Sequence, residues 1–473
     1  MSRYRQLAEL FKTQIQQKTW RAGEKLPSVR ATSRSHAVSP GTVLQAYQLL
    51  ESQGWISAKP QSGYFVTPDL ARFADMKASN PAIRQSIDDE LYDFLKHQSN
   101  KASVPLGSAF PDPSLFPLAA LNRNLASSGR KMSVDLLADN LPPGCESLRR
   151  LIAQRYIQQG MDISHDDIVI TSGALEALNL SLQAVVNKGD YVVIETPTFY
   201  GALQAVERLG LNAIEVPVDA TSGLCLGRLE EAFANHPVRA CWLMVNFHNP
   251  TGTTLDTTKK QAVLDLANRY DVVVIEDDVY AELSFAMPRP LPLKAYDQQD
   301  RVLLCGSFSK CLCPGYRIGW VVNQTYHERI QKLQLVSTLS GSAPVQLGVA
   351  HYLQHDSYDN HLRKLRKSLS ARQQKMVDAI KVSFPAEVSF FVPQGGYFLW
   401  IKLPDGVNSL EVYQKLLETG VTSAYGGLFA RDDHHDNYLR LNSSFSERDD
   451  FISVMEKMAQ VIRSLLGSVD LLR

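Results

Sequence analysis

The chain has 473 residues, 44% of them hydrophobic and 21% charged, and its 49 Lys and Arg balance 49 Asp and Glu for a formal net charge of +0. That length suits one large core plus a second small domain, and the balance gives no global polyelectrolyte signal, so any affinity for nucleic acid has to be local. The six cysteines form no CxxC pair and point to neither a zinc site nor a disulfide framework, while no apolar run approaches membrane-spanning length, so a cytoplasmic protein with no membrane partner is expected.

Met1 to Arg5 open an amphipathic helix rather than a signal peptide. Leu7, Leu10, Phe11 and Ile15 recur at helical spacing, which predicts a surface helix over residues 4–18 with one buried face. Gly23 and Pro27 break the chain, and Pro27-Ser28-Val29-Arg30 starts a second helix. Ser39 is placed to cap a third helix with Pro40 at its first position, running to Gln53 and stopping at Gly54. Trp55 to Ala58 and Gly63 to Val66 read as two short strands across a turn containing Pro60. Three helices and a hairpin predict a winged helix-turn-helix over residues 1–67. Residues 1–66 carry nine Lys and Arg against three Glu, so the basic excess is concentrated where phosphates would be met.

The residues behind this reading are Gly23, Leu26-Pro27-Ser28-Val29-Arg30, Val38-Ser39-Pro40-Gly41-Thr42-Val43, Ala46-Tyr47, Leu50, Gly54 and Ser62-Gly63-Tyr64-Phe65-Val66. Their pattern resembles the GntR family of bacterial regulators. The resemblance implies double-stranded operator DNA as partner, with the third helix in the major groove and Arg30, Ser39 and Thr42 at the DNA. One departure is Pro40, at a position where the family commonly carries arginine. Proline offers no base-edge donor, so a different operator is expected.

Residues 68–104 are polar and irregular, with one helix expected at Ile87 to Lys96, and read as a linker. After Leu106-Gly107, apolar strands alternate with helical stretches: Asp167 to Thr171, Tyr191 to Glu195, Ala240 to Val245, Val272 to Glu276 and Val302 to Gly306. The alternation predicts an α/β domain over residues 105–473 with a mostly parallel sheet between helices, and functional residues at the strand ends. Gly173 and Ala174 follow the first strand and open a helix, where backbone N–H groups can hold a phosphate. Phe199 follows the second and offers an aromatic face. Asn249 follows the third and can donate to a phenolate oxygen. Asp277, Asp278 and Tyr280 follow the fourth, and a buried carboxylate there would keep a pyridine nitrogen protonated.

The fifth strand ends in Ser307-Phe308-Ser309-Lys310, followed by Pro314-Gly315-Tyr316-Arg317. A lysine at the end of a core strand is desolvated, which lowers its pKa and favours the free amine that attacks a carbonyl. Ser307, Ser309 and Arg317 beside it suit an anion. A phosphate and an aldehyde together describe pyridoxal 5'-phosphate.

This constellation closely resembles the fold-type-I aminotransferases. The resemblance implies that Gly173 and Ala174 cradle phosphate, Phe199 stacks on the ring, Asn249 and Tyr280 serve the ring oxygen, and Asp277 pairs the ring nitrogen. Ser307, Ser309 and Arg317 would hold phosphate, Lys310 would carry the aldimine, and Arg440, in Tyr438-Leu439-Arg440-Leu441-Asn442, would pair an amino-acid carboxylate. His248 is expected as a packed supporting residue. Many aminotransferases carry a tyrosine where Asp139 aligns, which puts efficient transamination in doubt. A GntR-type winged helix joined to an aminotransferase-like domain is the arrangement of the MocR-type subfamily, which implies a homodimeric transcription regulator sensing pyridoxal phosphate, an amino acid or an amine. The alternative is an aminotransferase with an attached DNA-binding domain.

Overall fold

The computed structural model describes residues 3–17, 19–21, 23–52, 55–59, 62–66, 87–98, 103–130, 132–133, 141–431 and 433–470. The chain divides into two units, Met1–Arg84 and Gln85–Arg473.

In the first unit, α1 (Arg3–Gln16), α2 (Val29–Ser35) and α3 (Pro40–Ser52) precede β1 (Ile56–Lys59) and β2 (Gly63–Val66), which pair antiparallel with Ile56 opposite Val66. The helix starts follow from local chemistry. Ser28 Oγ accepts the Ala31 N–H at 3.2 Å, and Ser39 Oγ accepts the Thr42 N–H at 3.2 Å, so each hydroxyl satisfies an amide that the first helical turn leaves open. Gln53, Gly54 and the turn at Pro60 lie outside the described residues. Leu7, Phe11, Ile15, Val43, Tyr47, Leu50 and Trp55 fill the core.

Tyr47 is fully buried, and its ring meets Phe11 and Tyr64 edge-on at 5.6 and 5.0 Å. Its hydroxyl donates to the Pro27 carbonyl at 2.9 Å and lies 2.8 Å from the Thr32 hydroxyl, tying α2, α3 and the chain entering α2 together. Tyr47→Phe leaves the buried Thr32 hydroxyl and the half-buried Pro27 carbonyl without this partner and is expected to destabilise this unit by about 1–3 kcal/mol in urea unfolding. An unchanged midpoint would show the hydroxyl to be dispensable.

Most of the expected linker lies outside the described residues, but its helix forms as α4 (Ile87–Gln98) and belongs to the large unit. Leu91 and Phe94 are buried with Tyr413 and Tyr425; Tyr425 donates to Glu90 at 2.5 Å and Thr422 to Gln98 at 2.7 Å. β3 (Val104–Pro105) then pairs parallel with β14 (Val421–Thr422). The correction has a clear cause. The apolar face of α4 is short, and only partners more than 300 residues later reveal what it packs on.

The large unit is built on an eight-stranded sheet of β4 (Ile168–Thr171), β5 (Tyr191–Thr196), β6 (Asn212–Asp219), β7 (Gly223–Leu224), β8 (Val238–Leu243), β9 (Val273–Asp277), β10 (Val302–Ser307) and β11 (Gly319–Val322). Their order is β4-β11-β10-β9-β8-β5-β6-β7. β6, β5, β8, β9 and β10 run parallel; β11 is antiparallel to both β10 and β4, and β7 to β6. Every residue of β9 and β10 is buried, as continuous apolar runs require when both sheet faces are covered. A second antiparallel sheet joins β12 (Ser389–Phe390), β13 (Phe398–Lys402), β16 (Tyr438–Asn442) and β15 (Ala424–Tyr425) in that order, and places Arg440 opposite Trp400. The parallel order carries the C-terminal ends of β5, β8, β9 and β10 to one edge of the large sheet.

Candidate functional site

That edge opens into a cavity of about 250 Å³ lined by Ala174, Phe199, Asn249, Asp277, Tyr280, Ser307, Ser309, Lys310 and Arg317 among others. The structure therefore brings together nearly all of the residues singled out at five separate strand ends. Lys310 is the one lysine lining this cavity among the described residues. Its Nζ donates to the Ala109 carbonyl at 2.8 Å and sits 4.1 Å from the centre of the Phe110 ring. Loss of water around the amine, reinforced by Arg440 and Arg317 and opposed by Asp277, brings its pKa down to about 7.

β9 ends in Glu276 and Asp277 and is followed by Asp278, all three buried, and the structure distinguishes them. Glu276 accepts the Leu293 and Lys294 N–H groups at 2.6 and 3.1 Å. Asp278 accepts from Asn246 at 2.9 Å, and Asn246 in turn accepts from Lys260 Nζ at 2.7 Å. Asp277 alone lines the cavity, and its Oδ1 is buried with no partner. Desolvation pushes the Asp277 carboxyl up to about 7 against the pull of Lys310. A cationic ring nitrogen delivered there would give the orphaned oxygen its hydrogen bond and relieve the cost of burying a charge.

The phosphate-sized corner lies at the start of the helix Ala174–Val185. Gly173 caps it with φ +96° and no side-chain cap, so amides of the first turn remain available to an anion. A Cβ at Gly173 would come within 2.5 Å of an Arg317 nitrogen, so glycine is what lets that guanidinium close over the turn. Arg317 donates to the Ser172 carbonyl at 3.2 Å, Ser307 Oγ accepts the Ser309 N–H at 3.4 Å, and Ser309 Oγ is buried without a partner. Lys310 and Arg317 thus share the cavity with a single carboxylate, Asp277. The donor set fits a ligand with a phosphate at one end, a ring nitrogen at the other and a carbonyl facing Lys310.

Arg440 does not line the cavity. It is fully buried behind Asn249, to whose Oδ1 it donates at 2.9 Å, and it donates to the Gly107 carbonyl at 2.7 Å between the rings of Phe398 and Phe429. Tyr280 is buried edge-on to Tyr397, 5.6 Å between centroids, and burial raises its phenol pKa. His248 is buried among supporting residues: Nδ1 is 2.9 Å from the Thr251 hydroxyl within the loop bearing Asn249, and Nε2 faces Glu195 at 3.4 Å. Asp139 lies outside the described residues.

The sequence reading missed the segment that covers Lys310. Ser108 to Phe110 has no periodic signal, yet Asn442 donates to Ser108 and Phe110 carbonyls at 2.9 and 2.7 Å, and Tyr397 and Lys310 both donate to Ala109. It also missed Leu95 of α4, which lines the same cavity, and Met244, whose sulfur accepts the Asn249 N–H at 3.0 Å. In the first unit, Arg30 is exposed on α2, and Ser39 and Thr42 meet at the start of α3, their hydroxyls 2.8 Å apart.

Strand order and site together define the fold of the pyridoxal-phosphate-dependent transferases, carried behind a GntR-type helix-turn-helix. Residues 139–448 match the aminotransferase class I and II family, and residues 3–66 match the gntR family of bacterial regulatory proteins. The uncharacterized HTH-type transcriptional regulator YdcR of Escherichia coli (strain K12) is 45% identical over 98% of this chain and 100% of its own. Pyrococcus horikoshii kynurenine aminotransferase, solved in complex with PMP, superposes with a TM-score of 0.74 at 29% identity over 83% of this chain and 96% of its own. LysN, the α-aminoadipate aminotransferase of Thermus thermophilus, complexed with N-(5'-phosphopyridoxyl)-L-leucine, gives a TM-score of 0.74 at 26% identity over 81% and 96%. The chain belongs to the GntR-type transcriptional regulators with an aminotransferase class I and II domain, the MocR arrangement.

Proposed function

We propose that this regulator binds operator DNA through residues 1–67, holds pyridoxal 5'-phosphate at Lys310, and changes its operator affinity when an amino acid or amine reaches that site. The reading rests on one observation above all: a lysine with its pKa near 7, an unpartnered Asp277 oxygen and an open helix N-terminus share one cavity. Bound there, the cofactor supplies an aldehyde reactive toward primary amines and an electron-withdrawing ring. The protein's own residues do the rest. Lys310 supplies the free amine, Asp277 holds a proton at the ring nitrogen, Asn249 and Tyr280 orient the ring oxygen, and Phe199 covers a ring face. Gly173, Ala174, Ser307, Ser309 and Arg317 take the phosphate, and Arg440 waits behind Asn249 for a carboxylate. A homodimer in the cytoplasm completes the proposal, since helix-turn-helix proteins commonly read paired half-sites.

Retention of Arg440 beside Asn249 favours a second reading, an aminotransferase with an attached DNA-binding unit. Multiple turnover of an amino acid with a 2-oxo acid would support it; ligand-dependent DNA affinity without turnover supports the regulator. For the DNA half, affinity for a selected duplex is expected to fall steeply with salt, and Arg30→Ala is expected to weaken binding and lower the salt slope by about one if it meets a phosphate. Salt-independent binding in an anisotropy titration would refute the interface.

A further inference from the structure

The helix expected to enter the groove offers a face with no cation on it, and its one acid, Glu51 near the C-terminal end, accepts the Ala58 N–H at 2.8 Å. Pro40, Gly41, Leu44, Gln45 and Gln48 are exposed along α3, whereas Val43, Ala46, Tyr47 and Leu50 are buried in the core. Positions 40, 41, 44, 45 and 48 share one helical face. Leu44 is 41% exposed there, an apolar side chain that the core leaves unused. No Lys or Arg occurs anywhere in α3. Exposed cations stand on neighbouring elements, among them Arg30 and Arg34 one turn apart on α2, Arg3 and Arg5 on α1, and Lys59 on β1.

This distribution suits duplex DNA and restricts what the duplex can be. Phosphates run along the borders of the major groove and meet the flanking cations, while the helix between them meets base edges. Guanine is taken through O6 and N7 by Arg or Lys, which α3 lacks. A leucine has no polar atom, so it discriminates only by apolar contact, and the C5-methyl group of thymine is the apolar group a major-groove edge presents. The amides of Gln45 and Gln48 beside it pair a donor with an acceptor, as adenine N7 and N6 require. Resting on the DNA-binding reading above, we propose that α3 specifies A·T pairs, with Leu44 packed against a thymine methyl group.

The test uses the full-length protein and the duplex it selects from a random-sequence DNA pool. Each thymine of that duplex is replaced in turn by deoxyuridine, which removes the methyl group and leaves the hydrogen-bonding pattern intact. At one or two positions in each half-site, the replacement is expected to weaken wild-type binding about fourfold, the transfer value of one buried methyl. Leu44→Ala, a change outside the core, is expected to bind the thymine and deoxyuridine duplexes equally and to keep the wild-type salt dependence, and Leu44→Met to restore the discrimination. A duplex indifferent to deoxyuridine at every position, or a penalty that persists in Leu44→Ala, overturns the inference while leaving the DNA-binding reading in place. Failure to select any duplex overturns both.

Discussion

Lys310→Ala is expected to purify without the near-visible absorption band of a lysine-bound cofactor, and to yield no borohydride-fixed pyridoxyl adduct by peptide mass spectrometry, whereas the wild type carries the adduct on Lys310. The loss should be complete, because no other lysine lines the cavity among the described residues. The pH dependence of capture follows from the amine. Only the unprotonated form attacks a carbonyl, and desolvation brings the Lys310 pKa to about 7. Uptake of pyridoxal phosphate by cofactor-free protein should therefore be slow well below pH 7, rise through that pH and then level off. An ordinary lysine would still be gaining reactivity at pH 9 to about 10. An adduct surviving in Lys310→Ala would assign the chemistry to another residue.

Arg440→Ala is expected to keep the cofactor band and lose the response to amino acids. In the wild type, a useful switch requires operator affinity to change by about 5- to 150-fold on ligand binding, a coupling of roughly 1–3 kcal/mol. The variant should show no such change. The segment after α4 is held at the site and behind it: Lys310 donates to Ala109, Arg440 behind Asn249 donates to Gly107, and Leu95 of α4 forms part of the cavity wall. With the Lys310 amine bonded to the cofactor its tie to Ala109 is already given up, and an amino acid then competes with the Gly107 carbonyl for Arg440 through its carboxylate. It thereby releases the remaining tie, on Gly107, in the segment that follows α4. The band serves as the folding control, because removing Arg440 also leaves Asn249 Oδ1 and the Gly107 carbonyl without their donor. Anisotropy titrations with and without amino acids decide the matter, and equal wild-type affinity in every ligand state would refute the switch.

What the sequence determined by itself was whatever is encoded within a few residues. Ser28 and Ser39 cap their helices because the amides they satisfy lie three residues on. The apolar runs of β5, β8, β9 and β10 identify buried strands, and the residues just beyond them identify the cavity, because a parallel sheet gathers those ends at one edge. Tertiary structure alone decided the rest. The residues by themselves leave Asp277 and Asp278 as two carboxylates after one strand, and only the fold shows Asn246 donating to Asp278 while an Asp277 oxygen stays buried without a partner. α4 read as part of a linker until Tyr413 and Tyr425 were found against it. The cover over Lys310 joins residues 201 apart, and the tie from Arg440 to Gly107 joins residues 333 apart. Such contacts leave no periodicity in either segment. Each half is an ordinary loop or strand, and its role exists only where folding brings a buried donor to an otherwise unmet carbonyl.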